Sequence, residues 1–143
     1  MNAMKCLVIG PPASLLAMAV AANGRVDPRE VAELDRLGAY PLIGVGRDCF
    51  LELAEVALRE VGPSLSETCW LRLTDRSHLL TLLHAIRDPR QRLLVCRLTE
   101  AVIQADGEVT GGERQIFGAM THHWGLTHPA VAQSLVRNRT EAW

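Results

Sequence analysis

The feature that most constrains this chain is a polar turn that occurs twice. Ala22-Asn23-Gly24-Arg25-Val26-Asp27-Pro28-Arg29-Glu30 returns 83 residues later as Ala105-Asp106-Gly107-Glu108-Val109-Thr110-Gly111-Gly112-Glu113. Both copies read A-N/D-G-x-V-x-x-x-E, with an apolar run before and an amphipathic run after. Two copies so far apart are too few for a solenoid. They predict two related helical pairs packed together about a pseudo-twofold.

Apolar spacing is helical almost throughout, and no alternating strand is visible, so the expected class is all-α. From Ser14 to Ala22 the run is apolar on every side, which predicts a helix buried at the centre of a small domain. Gly24 is placed to end it as a left-handed cap. Asp27-Pro28-Arg29-Glu30 opens the next helix, with Asp27 as N-cap, Pro28 at the first position and Glu30 completing a capping box. Val26 and Val31 sit at the two positions of a hydrophobic staple. Gly38 to Gly46, with Pro41 inside it, reads as a connection. Phe50, Leu53, Ala54, Ala57 and Val61 then form one face of a third helix, stopped by Gly62-Pro63-Ser64.

The stretch from Ser66 to Ile86 is helical in composition, with a break expected near Thr74-Asp75. Asp88-Pro89-Arg90-Gln91 repeats the start signal ahead of a stripe of Leu94, Leu98, Ala101, Val102 and Ala105. Gly107 ends that helix, and Thr110-Gly111-Gly112-Glu113 starts another whose inner face is Ile116, Phe117, Met120 and Trp124. Gly125 stops it, and Thr127 caps a last helix carrying Val131 and Leu135. The expectation is a single domain over 1–143 with about seven helices, its repeat-related halves spanning about 14–61 and 88–137. A chain of 143 residues is long enough to bury a real core.

Charge and cysteine narrow the function classes. Net charge is −1 and no basic stripe exists, so a nucleic-acid partner has no electrostatic footprint. Cys6, Cys49, Cys69 and Cys96 are far apart in apolar contexts, without a Cys-x-x-Cys pair. They read as four free thiols in a reducing compartment. Lys5 and the run to Ala21 mimic a signal peptide, but Gly10-Pro11-Pro12 interrupts the run, and cleavage would remove the helix that leads into the first turn. Retention, and no membrane span, are expected.

The turn spacing reproduces the second half of an EF-hand loop, placing Asp106 at loop position 5, Gly107 at 6 and Glu113 at 12. The first half is missing: loop positions 1 and 3 are Val102 and Gln104 in one copy, Ala19 and Ala21 in the other. A true EF-hand is excluded. A weaker oxygen site remains, built from Asp106, Glu108 and Glu113, with Asn23, Asp27 and Glu30 facing them if the turns meet. Against it stands a purely local reading: Gly24 and Gly107 as caps, Glu30 and Glu113 as capping-box partners, Val26 and Val109 as core plugs, and Asn23 and Asp106 bonding nearby amides.

An apolar helix ending in A-x-A-D-G-x-V and followed by x-x-x-E, twice in an all-helical chain of this size, resembles the TerB family of tellurite-resistance-related proteins. It is also similar to the N-terminal helical module of membrane-anchored J-domain co-chaperones. The likeness covers about Leu15 to Leu135, with its specific residues in the two turns. It implies a cytoplasmic stress-response module, often linked to the membrane or to protein partners, with no firmly assigned enzymatic activity. It further implies cation binding at the matching positions Asn23, Glu30, Asp106 and Glu113. Asn23 departs from the family's usual Asp and lowers the charge of the first turn.

Other constellations are weaker. His122 and His123 project about 100° apart on a helix, so they cannot chelate one ion as an i, i+4 pair does. In the last turn they complement the helix dipole. Ser77-His78 and His84 lack a nucleophile elbow, and Gly44-Val45-Gly46 lacks a dinucleotide fingerprint. Trp70, Trp124 and Trp143 read as core or interface anchors. The expected role is therefore a non-catalytic, TerB-like adaptor with a protein partner. The alternative is a divalent-cation (Ca²⁺ or Mg²⁺) protein in which Asp106 and Glu113 supply carboxylates and Asn23 and Glu30 assist. An acid pair acting on a small substrate is the weakest reading.

Overall fold

The computed structural model describes residues 9–22, 26–60, 73–105 and 111–126. Seven helices lie among them: α1 (Pro11–Ala21), α2 (Pro28–Leu37), α3 (Ala39–Leu42), α4 (Arg47–Glu60), α5 (Leu73–Ala85), α6 (Pro89–Gln104) and α7 (Gly111–Trp124). No strand occurs among the described residues, so the all-α class stands. The expected stop at Gly62-Pro63-Ser64, the segment from Ser66 to Trp70 and the helix after Thr127 lie outside them.

α1 is the axis of the fold. It packs against α4, α5, α6 and α7, and from Leu15 to Ala22 every residue is buried. Its small and aliphatic side chains divide between two halves of the core. Leu15, Met18, Ala19 and Ala22 face Leu79 and Leu83 of α5, Cys96 of α6, and Ile116, Phe117 and Met120 of α7. Ala13, Leu16, Ala17 and Val20 face Leu34 of α2, Phe50 and Ala54 of α4, and Leu98 and Val102 of α6. A helix that is apolar all round can lie only inside such a layer. Truncating Leu16, which is fully buried, removes packing worth about 2–5 kcal/mol.

The repeat is written into the backbone in register. α1 ends at Ala21, and the Ala22 amide donates to Ala19 O at 3.2 Å; α6 ends at Gln104, and the Ala105 amide donates to Val102 O at 3.2 Å. α2 begins at Pro28 and α7 at Gly111. Each of these pairs differs by the same 83 positions. Packing crosses between the copies as well: α2 lies on α6, α7 lies on α1 and also on its own α6, and α1 and α6 pack on each other. Each second helix thus crosses to the first helix of the other copy.

Two boundaries differ from expectation. Pro11 and Pro12 do not interrupt an apolar helix but start one, with Gly10 as N-cap. Proline in the first turn loses no intrahelical hydrogen bond and has its φ preset. The connection after α2 contains the short helix α3, framed by Gly38 and Gly44 at φ 62° and 71°; these left-handed angles are the positions where glycine is needed. α5 is described from Leu73, so Thr74-Asp75 fall in its first turn, and the residues ahead of it, where the expected break would also fall, lie outside the described residues.

Candidate functional site

Local sequence positions the repeated carboxylates. Asp27, almost fully buried, accepts the Arg29 amide at 2.9 Å as the N-cap of α2, and also binds the Arg29 guanidinium at 3.1 Å. Glu30 follows at the third position of α2, and Glu113 takes the third position of α7. Both glutamates have no exposed surface. A carboxylate is placed inside a protein only with compensating contacts, and both residues are engaged. The first turn of a helix, where free amides carry partial positive charge, favours that placement electrostatically. A further buried acid, Glu100, accepts the Gln104 side-chain amide at 3.3 Å on α6. Among the described residues, no group of three or more His, Cys, Asp or Glu side chains forms a metal cage. Asn23, Asp106 and Glu108 lie outside the described residues, as do Gly24, Gly107 and Val109.

The cysteine reading needs one correction. Cys49, on α4, is disulfide-bonded, so the chain does not carry four free thiols. Spacing along the sequence gives no sign of it. Cys96 is free. Burial, and then the Glu100 charge, push its thiol up to about 12. A thiol so reluctant to ionise is not a nucleophile.

A second region was not legible in the sequence. Between α5 and α7 an open groove of about 420 Å³ is lined by Arg76, Leu79, Leu80, Gln115, Gly118, Ala119 and His122. Leu80 is 46% exposed there. Gly118 contributes open space, since a Cβ at that position would meet nothing within 4 Å. The Gln115 Oε1 is buried with no hydrogen-bond partner among the described residues.

One turn beyond Leu80, His84 of α5 meets His123 of α7 edge to face, with ring centroids 4.5 Å apart. Desolvation, followed by the nearby His84, Arg92 and His122, holds His123 below the ordinary histidine value. Trp124 anchors this corner by donating its indole N–H to Leu83 O at 3.0 Å. Arg92 donates to Ile86 O at 2.7 Å, and its guanidinium carbon lies 5.9 Å from the centroid of the Trp124 ring. His123 therefore partners His84 on another helix rather than its neighbour His122. That is a tertiary pairing to which helical periodicity is blind.

No known protein family, curated protein or solved structure matches this chain. No described helix is long and apolar enough to cross a membrane.

Proposed function

We propose that the chain is a non-catalytic, TerB-like helical module that acts as a protein-interaction adaptor in a stress response. The observation that carries this reading is the register-matched repeat around one shared helix, whose two equivalent glutamates are buried at helix starts. Carboxylates placed there anchor turns, and they are not presented to a substrate. The open groove between α5 and α7, with exposed Leu80, offers a protein partner an apolar contact flanked by polar groups. The test is capture of partners by the full chain with and without chelator. A specific partner retained in chelator and lost with Leu80→Glu supports the adaptor reading, and no Leu80-dependent partner removes it.

A cytoplasmic setting follows from the resemblance, whereas the Cys49 disulfide is what an oxidising compartment sustains. The thiol state of the natively isolated protein decides between them.

The second reading is a Ca²⁺- or Mg²⁺-binding protein, with carboxylates from Asp106 and Glu113 assisted by Asn23 and Glu30. It is favoured by one observation: two equivalently placed glutamates enter the interior beside the two turns. Amide NMR of chelator-stripped protein tests it. Saturable shifts around both turns that disappear in Glu113→Ala support it, and an unmoved spectrum at millimolar cation rejects it.

A further inference from the structure

We propose that His84 and His123 form a two-imidazole site for a borderline divalent transition ion such as Zn²⁺, bridging α5 to α7. The proposal concerns different residues from either reading above and does not rest on them.

The first argument is geometric. The ring centroids are 4.5 Å apart. Two imidazoles that ligate one tetrahedral ion through Zn–N bonds of about 2.0 Å put their ring centres roughly 5 Å apart, close to this separation. The rings now meet at 76° in an edge-to-face contact. The terminal torsion of histidine is broad and soft, so the rings can reorient about it towards a shared ion.

The second argument is pre-organisation. Leu83 precedes His84 and Trp124 follows His123, and these two neighbours are joined by the 3.0 Å indole-to-carbonyl hydrogen bond. The ligand backbones are therefore clamped beside the ligands themselves. Leu83 is fully buried and Trp124 nearly so, so the clamp belongs to the core while His84 stays exposed to solvent and His123 half-buried. An ion has an open approach and a rigid seat, which is what a functional site needs from its scaffold.

The donor chemistry selects the ion. Neutral imidazole suits Zn²⁺, Ni²⁺ and Cu²⁺, whereas Ca²⁺ and Mg²⁺ want oxygen. The charged groups around the pair are Arg92 and His122, both cationic when protonated. They keep His123 neutral, the form that ligates, but they also oppose a dication, so the two nitrogens must bind the ion against that field. Arg92 is held in place by Ile86 O and the Trp124 face. With two protein ligands and no third metal-type side chain joining them among the described residues, water completes the coordination. Metal binding releases whatever protons the two rings carry.

The experiment is a titration of untagged, chelator-stripped full chain with Zn²⁺, followed by calorimetry and by histidine side-chain NMR. The expected result is one saturable ion per chain, with His84 and His123 resonances shifting together and affinity falling as pH is lowered through the histidine range. His84→Ala, at an exposed position, and His123→Gln each lower affinity at least tenfold, while His122→Ala and Glu113→Ala leave it unchanged. Circular dichroism of each variant guards against loss of fold. No saturable Zn²⁺ binding, binding indifferent to His84→Ala, or an equal loss in His122→Ala overturns the site. Persistence in Glu113→Ala separates it from the turn-based cation reading.

Discussion

The Trp124 indole donates to the Leu83 carbonyl at 3.0 Å, and Leu83 is one of the last carbonyls of α5 that has no partner within its own helix. Arg92 serves the carbonyl of Ile86, the residue just past the end of α5. Two side chains from α6 and α7 thus finish a helix whose own sequence supplies no glycine cap. Trp124→Phe keeps an aromatic ring but removes the donor and leaves Leu83 O buried. A loss of about 2–3 kcal/mol is expected from the unsatisfied carbonyl and the smaller ring. Denaturant unfolding of the two proteins measures it, and a difference below half a kcal/mol would show the hydrogen bond to be dispensable.

Asp27 and Asp88 make the same N-cap bond, each accepting the amide two residues on at 2.9 Å. Their surroundings differ, because Asp27 is buried and Asp88 exposed. Asp88→Ala should cost about 1 kcal/mol, the usual value of a cap. Asp27→Ala should cost more, about 2 kcal/mol, because the Arg29 amide loses its partner next to the core. Equal losses in chemical denaturation would mean that burial adds nothing to the cap.

Alkaline pH should unfold the protein through two buried groups. Burial first, and then the adjacent Asp35, push the Tyr40 phenol up to about 12 from an ordinary 10.0; Cys96 rises to about 12 from 9.0. The folded state holds these protons after the unfolded chain has released them, so stability falls as pH rises from about 9 towards 12. Tyr40 is the chain's one tyrosine, so tyrosinate absorbance reports it alone. A tyrosinate midpoint near the ordinary value in folded protein would contradict the assignment. Tyr40→Phe should flatten the upper part of the decline.

One disulfide leaves two of the four cysteines as thiols. Protein isolated under alkylating conditions, denatured without reductant, should therefore titrate two thiols, and four after reduction. Four before reduction would place the chain in a reducing setting and leave Cys49 unpaired.

What the sequence made legible follows physical range. The cap signals at Asp27 and Asp88 are local, with donor and acceptor two residues apart, and both read correctly. The all-apolar run of α1 dictated its central place, because no other position buries every side of a helix. Glu30 and Glu113 were located at helix starts by their spacing from the turn, but their full burial depends on packing from other helices. The Cys49 disulfide, the Trp124–Leu83 bond and the His84–His123 contact join residues far apart in the chain. Nothing within one turn of either partner announces them. Pro11-Pro12 was misread for a different reason: proline tolerated at a helix start looks the same in sequence as proline breaking a helix interior.

The contact that each second helix makes with the first helix of the other copy bears on the order in which the chain can assemble. α1 meets α4 within the first half, but its contact with α7 closes only after most of the chain separates Ala21 from Gly111. Until then one side of its apolar cylinder lacks its native cover. Contacts between sequence-distant elements slow folding and leave apolar surface open to aggregation. The helix that holds the finished domain together is thus the segment most exposed to misassembly while the domain is being made.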